Sequence, residues 1–400
     1  MPSATPSAHP SDYGAQLTRA LGTITRAARP QELNAWRDAL PAIADRVGRS
    51  LLHSPDLHDW LGSADPTELP SLIKHHGLLW HAALSLHSAA ALQAELLRAY
   101  ASLLNRGFSF DYFVAEFLAW QAALAAELPD GAPRIVAFFE RLLELHPLLV
   151  AAATEHMEDL PPLRQASRRA LDAVLSPDEE LLVTCLRGQR KPAMRREIVT
   201  EVMHRVGALW ADGSIDVATE HAATALMSRA LHRFSTEPAP RRAHARHEPS
   251  EKTASEKPRV MIALPAGERH EMAALLLREA LVSEGYPVTY TGADLPLHSV
   301  ATWLSMKPAE VLIIPAVILH HLPPTMEMIR RARAACPEIQ VVVGGQAYTA
   351  DPQLWRTVGA DICLQTIPDL VSWLRAFTKL IGRAPAKALP RPAHAIQQIG

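Results

Sequence analysis

The residues best placed to do chemistry form a short run, Gly267-Glu268-Arg269-His270-Glu271. A carboxylate two residues before an imidazole, on a loop that opens a helix, suits metal ligation. The carboxylate can take the ring's second N–H, which fixes the tautomer and raises the basicity of the nitrogen left for a metal. The competing reading is a surface loop with charged residues. A second candidate lies upstream. Trp210 ends a helix before the turn Asp212-Gly213, and Glu220-His221 lie in the next helix. The plainer alternative there is a Trp buried in a helical bundle with Glu-His at its surface. A third feature is a group of histidines, His75, His76, His81 and His87, with Trp80 among them.

These residues sit in a chain of 400 residues and 43.8 kDa, too long for one ordinary core, so two or three domains are expected. Forty Lys and Arg stand against 42 Asp and Glu, a net charge of -2, which argues against a chain built to coat nucleic acid. The apolar fraction of 48% fits a soluble globular protein. Every long apolar stretch is interrupted by a charge, His or Pro, so no membrane span is expected. The N-terminus lacks a basic start followed by an apolar run, and the cytoplasm is the expected location. Three cysteines without a CxxC pair (Cys185, Cys336, Cys363) argue against a disulfide framework and a thiolate zinc site.

Composition divides the chain. Residues 1 to 12 are rich in Pro, Ser and Ala and read as disordered, as does the tail from about Arg383. Residues 235–258 mix Pro with charge and read as a linker. Residues 13–156 show only helical periodicity, with stripes such as Leu92, Leu96, Leu97, Tyr100, Leu103 and Leu104, and Pro147 among the punctuating residues. Residues 161–234 read as a four-helix bundle. From 259 to 382, five short β-rich runs alternate with amphipathic helices, predicting an α/β domain of flavodoxin-like size with five parallel strands. Such sheets bind ligands beyond the carboxyl ends of their strands, where Glu268 and His270 fall.

The run from Glu268 resembles the Asp/Glu-x-His-x-x-Gly signature of cobalamin-binding domains. In that family Ser-x-Leu follows about 41 residues later, and Gly-Gly about 26 to 28 beyond; here Pro315-Ala316-Val317 and Gly344-Gly345 occupy those places. The resemblance implies that His270 ligates cobalt, that the glycines pass the nucleotide tail beside the backbone, and that the Gly292–Pro296 loop, with Asp294, edges the corrin. Glu268, Val317, Gly344 and Gly345 complete the implied set. Two positions depart from the family: Ala273 replaces Gly, and Pro315 replaces Ser. Both are small enough to leave the tail pocket unfilled.

The spacing Trp210-x9-Glu220-His221 resembles the bundle that caps adenosylcobalamin in light-responsive regulators of the carotenoid-repressor type. It implies that Trp210 covers the upper corrin face, with Glu220 and His221 close by. The family's repressors carry a His directly after the Trp; here it is Ala211, which puts their light-state bis-His complex in doubt, with His204 and His221 the nearby histidines. Those repressors also begin with a DNA-reading winged helix. Residues 13–156 instead show about six helices without a basic recognition helix, a length suited to a globin-like domain.

A globin-like domain before a light-sensing cobalamin module resembles the photocobilins, which pair cobalamin with a linear bilin. Trp80, Tyr100, Phe108, Tyr112, Phe113 and Trp120 then become candidate walls of a bilin cleft, and His75, His76 and His81 its polar partners; a haem ligated by a histidine and a ligand-free dimerisation bundle are the competing readings. No cysteine lies in 13–156, so biliverdin or a related bilin is held noncovalently or through Cys185. The expectation is therefore a photoreceptor and not an enzyme. It binds adenosylcobalamin and a bilin, makes no direct DNA contact, and signals through oligomer state or a protein partner. The enzymatic alternative is a corrinoid carrier subunit of a methyltransferase system; a haem-binding sensor is the third reading.

Overall fold

The computed structural model describes residues 12–26, 28–62, 64–128, 132–155, 160–189, 191–236 and 257–381. The leading segment, most of the expected linker and the tail lie outside these residues. The chain divides into two compact units, one of Met1–Pro161 with Ala208–Asp216, the other of Pro162–Gly207 with Val217–Gly400.

The first unit is helical: α1 (Asp12–Ile24), α2 (Pro30–Leu52), α3 (Leu57–Leu61), α4 (Leu69–Leu86), α5 (Ala89–Asn105), α6 (Asp111–Glu127) and α7 (Pro133–Glu155). Local chemistry sets the helix starts. Pro30 opens α2, where its missing N–H costs nothing, and the Glu32 carboxylate accepts from Arg29 N at 2.9 Å. The Ser88 hydroxyl accepts from Ala91 N at 3.2 Å and caps α5. Pro147 does not punctuate as expected; it lies inside α7. Proline costs a helix one hydrogen bond and a clash, and burial of Leu142, Leu145 and Leu149 around it offsets that cost.

Aromatic rings fill this unit. Trp36, Trp80, Trp120, Tyr100, Tyr112, Phe113 and Phe117 are fully buried. Tyr100 stacks on Phe113 with ring centroids 3.7 Å apart, and Trp120 stacks on Phe139. The rings expected to wall a bilin cleft thus pack on one another as core. Gly77 lets α4 approach closely, because a Cβ there would stand 2.5 Å from the Trp120 ring.

The histidines serve the same packing. His76 Nδ1 lies 2.9 Å from both Glu116 oxygens, and Trp120 Nε1 donates to Glu116 at 3.1 Å, with His76 and Glu116 both buried. His81 Nε2 donates to the Leu33 carbonyl at 3.0 Å, and His87 Nδ1 to that of Thr25 at 2.8 Å. Burial pushes the His81 pKa below its ordinary value, against the pull of the Leu33 carbonyl. His76 and His81, expected as partners for a bilin, are therefore committed to internal bonds.

The second unit begins with α8 (Gln165–Leu175), α9 (Glu179–Arg187), α10 (Pro192–Ala211) and α11 (Val217–Thr236); α10 passes into the first unit from Ala208. The Asp178 carboxylate caps α9 by accepting from Leu181 N at 2.9 Å. Ala170, Leu182, Leu186, Val199, Leu226 and Met227 form the buried faces. Arg164 bridges to Glu197 and Glu201 of α10, and Arg229 and Arg233 to Glu179.

The sheet comprises β1 (Val260–Ile262), β2 (Val288–Tyr290), β3 (Val311–Pro315), β4 (Gln340–Gly344) and β5 (Ile362–Cys363). All pairs are parallel in the order β2-β1-β3-β4-β5. Helices α12 (Glu271–Ser283), α13 (Leu297–Met306), α14 (Leu322–Ala335), α15 (Leu354–Thr357) and α16 (Ile367–Ile381) connect and follow the strands. β1, β3 and β4 are buried throughout, as their continuous apolar runs require. Ile262, Leu264, Leu281, Ile313, Leu374 and Phe377 lie in one core beside the sheet. The order reverses direction between β1 and β3, which opens a crevice at their carboxyl ends. Among the described residues no helix is long and apolar enough to cross a membrane.

The buried His76–Glu116–Trp120 set generates a stability prediction. Glu116→Ala strands two buried polar groups and should lower the unfolding free energy by about 3–5 kcal/mol, read by urea titration. A loss below about 1 kcal/mol would show that the set is not a structural element of the helical unit.

Candidate functional site

The loop after β1 places Glu268 and His270 at the crevice between β1 and β3. Glu268 is fully buried. Its Oε1 accepts from His270 N at 3.0 Å and from His270 Nδ1 at 2.5 Å; its Oε2 accepts from Val317 N, in the loop after β3, at 3.1 Å. His321 Nδ1 approaches Oε2 at 2.7 Å, an ion-pair contact without hydrogen-bond alignment. One carboxylate thus joins two imidazoles and two backbone amides from two neighbouring loops.

Burial alone would raise the Glu268 pKa, but the contacts from His270 and His321 outweigh it and hold the carboxyl well below its ordinary 4.5. His270 has the opposite exposure: its side chain is 47% accessible. With Nδ1 turned inward to the carboxylate, Nε2 is left as the nitrogen with the lone pair. This donor set suits one axial metal ligand held in a fixed tautomer. Glu268, His270 and His321 bring potential ligand atoms within 4.8 Å of one another. His321 was not among the residues expected from the sequence. It is buried in a 3₁₀ turn, Leu319–His321, just after β3, packed on the His320 ring at 4.1 Å. Its signal was a histidine pair in a post-strand loop on the same sheet edge as His270.

The other expected residues fall on this edge with defined tasks. Asp294 lies after β2 with φ of 54°, a left-handed conformation that Asp tolerates better than most residues. Its Oδ1 accepts from Gly267 N at 2.8 Å, its N–H donates to Glu268 O at 3.0 Å, and Pro265 bridges to Leu295. The loops after β1 and β2 are thereby zipped together. Gly344 and Gly345 end β4. A Cβ on Gly344 would stand 2.1 Å from Leu364 O, and one on Gly345, whose φ is 102°, would stand 2.4 Å from Ala316 O. Close backbone approach to both flanking loops thus requires these glycines, independently of any tail.

In the helical bundle the expected residues are differently placed. Trp210 is 37% exposed, so it is not core filling. Its ring lies under the Arg106 guanidinium, 4.7 Å from the centroid, within the first unit. Glu220 and His221 start α11 in the second unit; His221 Nδ1 lies 2.5 Å from Glu220 Oε2, and Glu220 Oε1 accepts from Thr224. Cys185 is buried in α9, and burial pushes its thiol pKa up.

A parallel α/β domain with a carboxylate-backed imidazole at its topological switch point defines a cofactor-binding module. Residues 258–370 match the B12 binding domain model, and residues 166–234 match a second B12 binding domain model. These matches support cobalamin as the ligand. A stretch of 133 residues, 33% of this chain, is 29% identical to the HTH-type transcriptional repressor CarA of Myxococcus xanthus and spans 41% of that protein. The chain thus matches less than half the length of that repressor. Among solved structures, the monomethylamine corrinoid protein of Methanosarcina barkeri aligns over 53% of this chain and 96% of its own, at 15% identity and a TM-score of 0.42. A cobalamin-binding protein of Desulfitobacterium hafniense aligns over 53% and 98%, at 15% identity and a TM-score of 0.28.

The depressed Glu268 pKa has a signed consequence. A carboxylate held below its unfolded value stabilises the fold above about pH 4.5, and that contribution is lost as pH falls through the folded value. Glu268→Gln should cost about 1–3 kcal/mol at pH 7 and flatten the loss of stability on acidification. Parallel acid limbs for the two proteins would show that Glu268 is not held ionised.

Proposed function

We propose that this protein is a light sensor that binds adenosylcobalamin between its bundle and its α/β domain, with His270 as the lower axial ligand of cobalt. The observation that carries this is the half-exposed His270 ring backed through Nδ1 by the buried Glu268 carboxylate. In this reading Glu268 keeps the proton on Nδ1 and aims Nε2 at the metal. Asp294 and the Gly267 backbone hold the β1 and β2 loops together as a rim that would border the cofactor, and Gly344 and Gly345 would leave room beside the backbone for its nucleotide tail. Bound adenosylcobalamin supplies a cobalt–carbon bond that light can break. By resemblance to the light-responsive cobalamin regulators, the exposed indole of Trp210 would cover the bound cofactor in the dark and exclude water from it, and Glu220 and His221 would be further binding residues. Trp210 would be held while the adenosyl group is bound and released without it, so the chain would move between two states biased by what that ring contacts.

The light-sensing part rests on the resemblance of Trp210-x9-Glu220-His221 to light-responsive cobalamin regulators and on the match to the repressor. Output passes through oligomer state or a protein partner and not through catalysis. The helical domain of residues 13–156 takes the globin-like sensor's place in this reading and binds biliverdin or a related bilin. The burial of Cys185 supports noncovalent attachment over a thioether in this reading. Closed packing of the inner aromatic rings means that a bilin seats only by parting them or by using another surface.

Absorption spectra test both halves. The protein reconstituted with adenosylcobalamin should bleach and shift on illumination, and His270→Ala should bind at least about tenfold more weakly or lose histidine ligation. An unchanged spectrum and affinity in that variant would remove His270 as ligand. Protein made in the presence of biliverdin should carry a band to the red of cobalamin, lost on truncation at about residue 160. Saturation with biliverdin without such a band would end the bilin assignment.

A further inference from the structure

Trp210 belongs by sequence to the bundle, but the residues around it, Ala208–Asp216, fold as part of the N-terminal helical unit. Two contacts account for this. The Arg106 guanidinium lies over the Trp210 ring at 4.7 Å. The turn that follows Trp210 fits against the end of α5: a Cβ on Gly213, whose φ is 77°, would stand 3.2 Å from Asn105 O and 3.6 Å from Arg106 Cγ. That turn is itself closed, with Gly213 N donating to Trp210 O and the Asp212 carboxylate accepting from Ser214 N.

Arg106 is well anchored for this contact. It is the C-cap of α5, and its backbone N–H bonds the carbonyls of Ser102 and Leu103, so the side chain leaves from a fixed point. Its guanidinium also pairs with Glu68, at the start of α4, at 3.4 Å, and the side chain is only 21% exposed. A planar guanidinium can stack on an indole while one edge binds a carboxylate, which an ammonium cannot do.

We propose that Arg106 is the positioning residue through which the N-terminal helical unit reads the state of Trp210. This rests on the reading of Trp210 as the upper-face residue. The indole has two claimants, the upper ligand and Arg106. Whatever moves the ring must carry the guanidinium or break the stack, and either event alters the end of α5 and its link to Glu68. By reciprocity, holding Arg106 in place biases the ring and hence the preference for one upper ligand over another.

The test uses the full chain in the dark, loaded in turn with adenosylcobalamin and hydroxocobalamin, and followed by hydrogen exchange in peptides covering residues 96–108. Wild type should differ between the two ligands in this segment by about two- to fivefold, the size of one partly exposed cation–π contact. Arg106→Gln should still bind both ligands but lose that difference, and Arg106→Lys should keep part of it. A difference that survives in Arg106→Gln, or one missing from wild type that binds both ligands, overturns the proposal while leaving the upper-face reading intact. Trp210→Ala separates the two ideas. If it keeps the wild-type ratio of adenosylcobalamin to hydroxocobalamin affinity, the upper-face reading fails and this inference with it. Should Arg106→Gln prove too unstable, Glu68→Gln, which removes only the second anchor, should reduce the difference; an unaltered difference there counts against Arg106 as the reader.

Discussion

The site depends on one buried anion. Glu268 has no access to water, and an uncompensated carboxylate there would be strongly unfavourable. It stays ionised because the loops after β1 and β3 bring it His270, His321 and the amides of His270 and Val317. Those loops meet because β1 and β3 are neighbours in a sheet whose order reverses between them. The register of the sheet and the charge of the site are therefore one constraint. A fold that slipped the β1–β3 pairing would leave the carboxylate unsatisfied.

The same chemistry appears twice with opposite outcomes. In the helical unit Glu116 also holds an imidazole by Nδ1, but His76 is as buried as its partner and Trp120 completes the set. That pair ties α4 to α6 and offers nothing to a ligand. At the sheet edge the ring is half exposed, so the proton held at Nδ1 leaves a usable nitrogen. Exposure of the imidazole, not the presence of a carboxylate, is what distinguishes the two histidines: His270 keeps a ring nitrogen accessible and His76 does not.

Much of the α/β half was legible because apolar runs and amphipathic helices alternate with distinct periods, and the five parallel strands expected between 259 and 382 are all present. The Glu268–His270 contact was legible too, since both partners lie in one loop. His321 was not, because its partner stands 53 residues away and meets it only through the sheet. The partners of the helical unit's histidines were hidden for a related reason. Periodicity marks a histidine as being on a buried face, but which acceptor it meets depends on helix pairing: His81 reaches Leu33 and His87 reaches Thr25 across large sequence gaps. At Pro147 two local signals compete, a proline that breaks helices and an apolar stripe over 135–150 that continues through it, and tertiary burial decides for the helix.

The glycine pair at the end of β4 carries a consequence beyond its own strand. With carbonyls of Ala316 and Leu364 pressed against their α-carbons, neither position can acquire a side chain without moving its neighbours. These two positions therefore stay bare of side chains of their own, and the polar side chain that meets them is the exposed Gln365 amide, whose Oε1 accepts from Gly345 N at 3.2 Å. Through Ala316 the glycine pair also fixes the neighbouring Val317 amide that bonds Glu268, so a side chain at Gly345 would disturb the acid as well as the strand end.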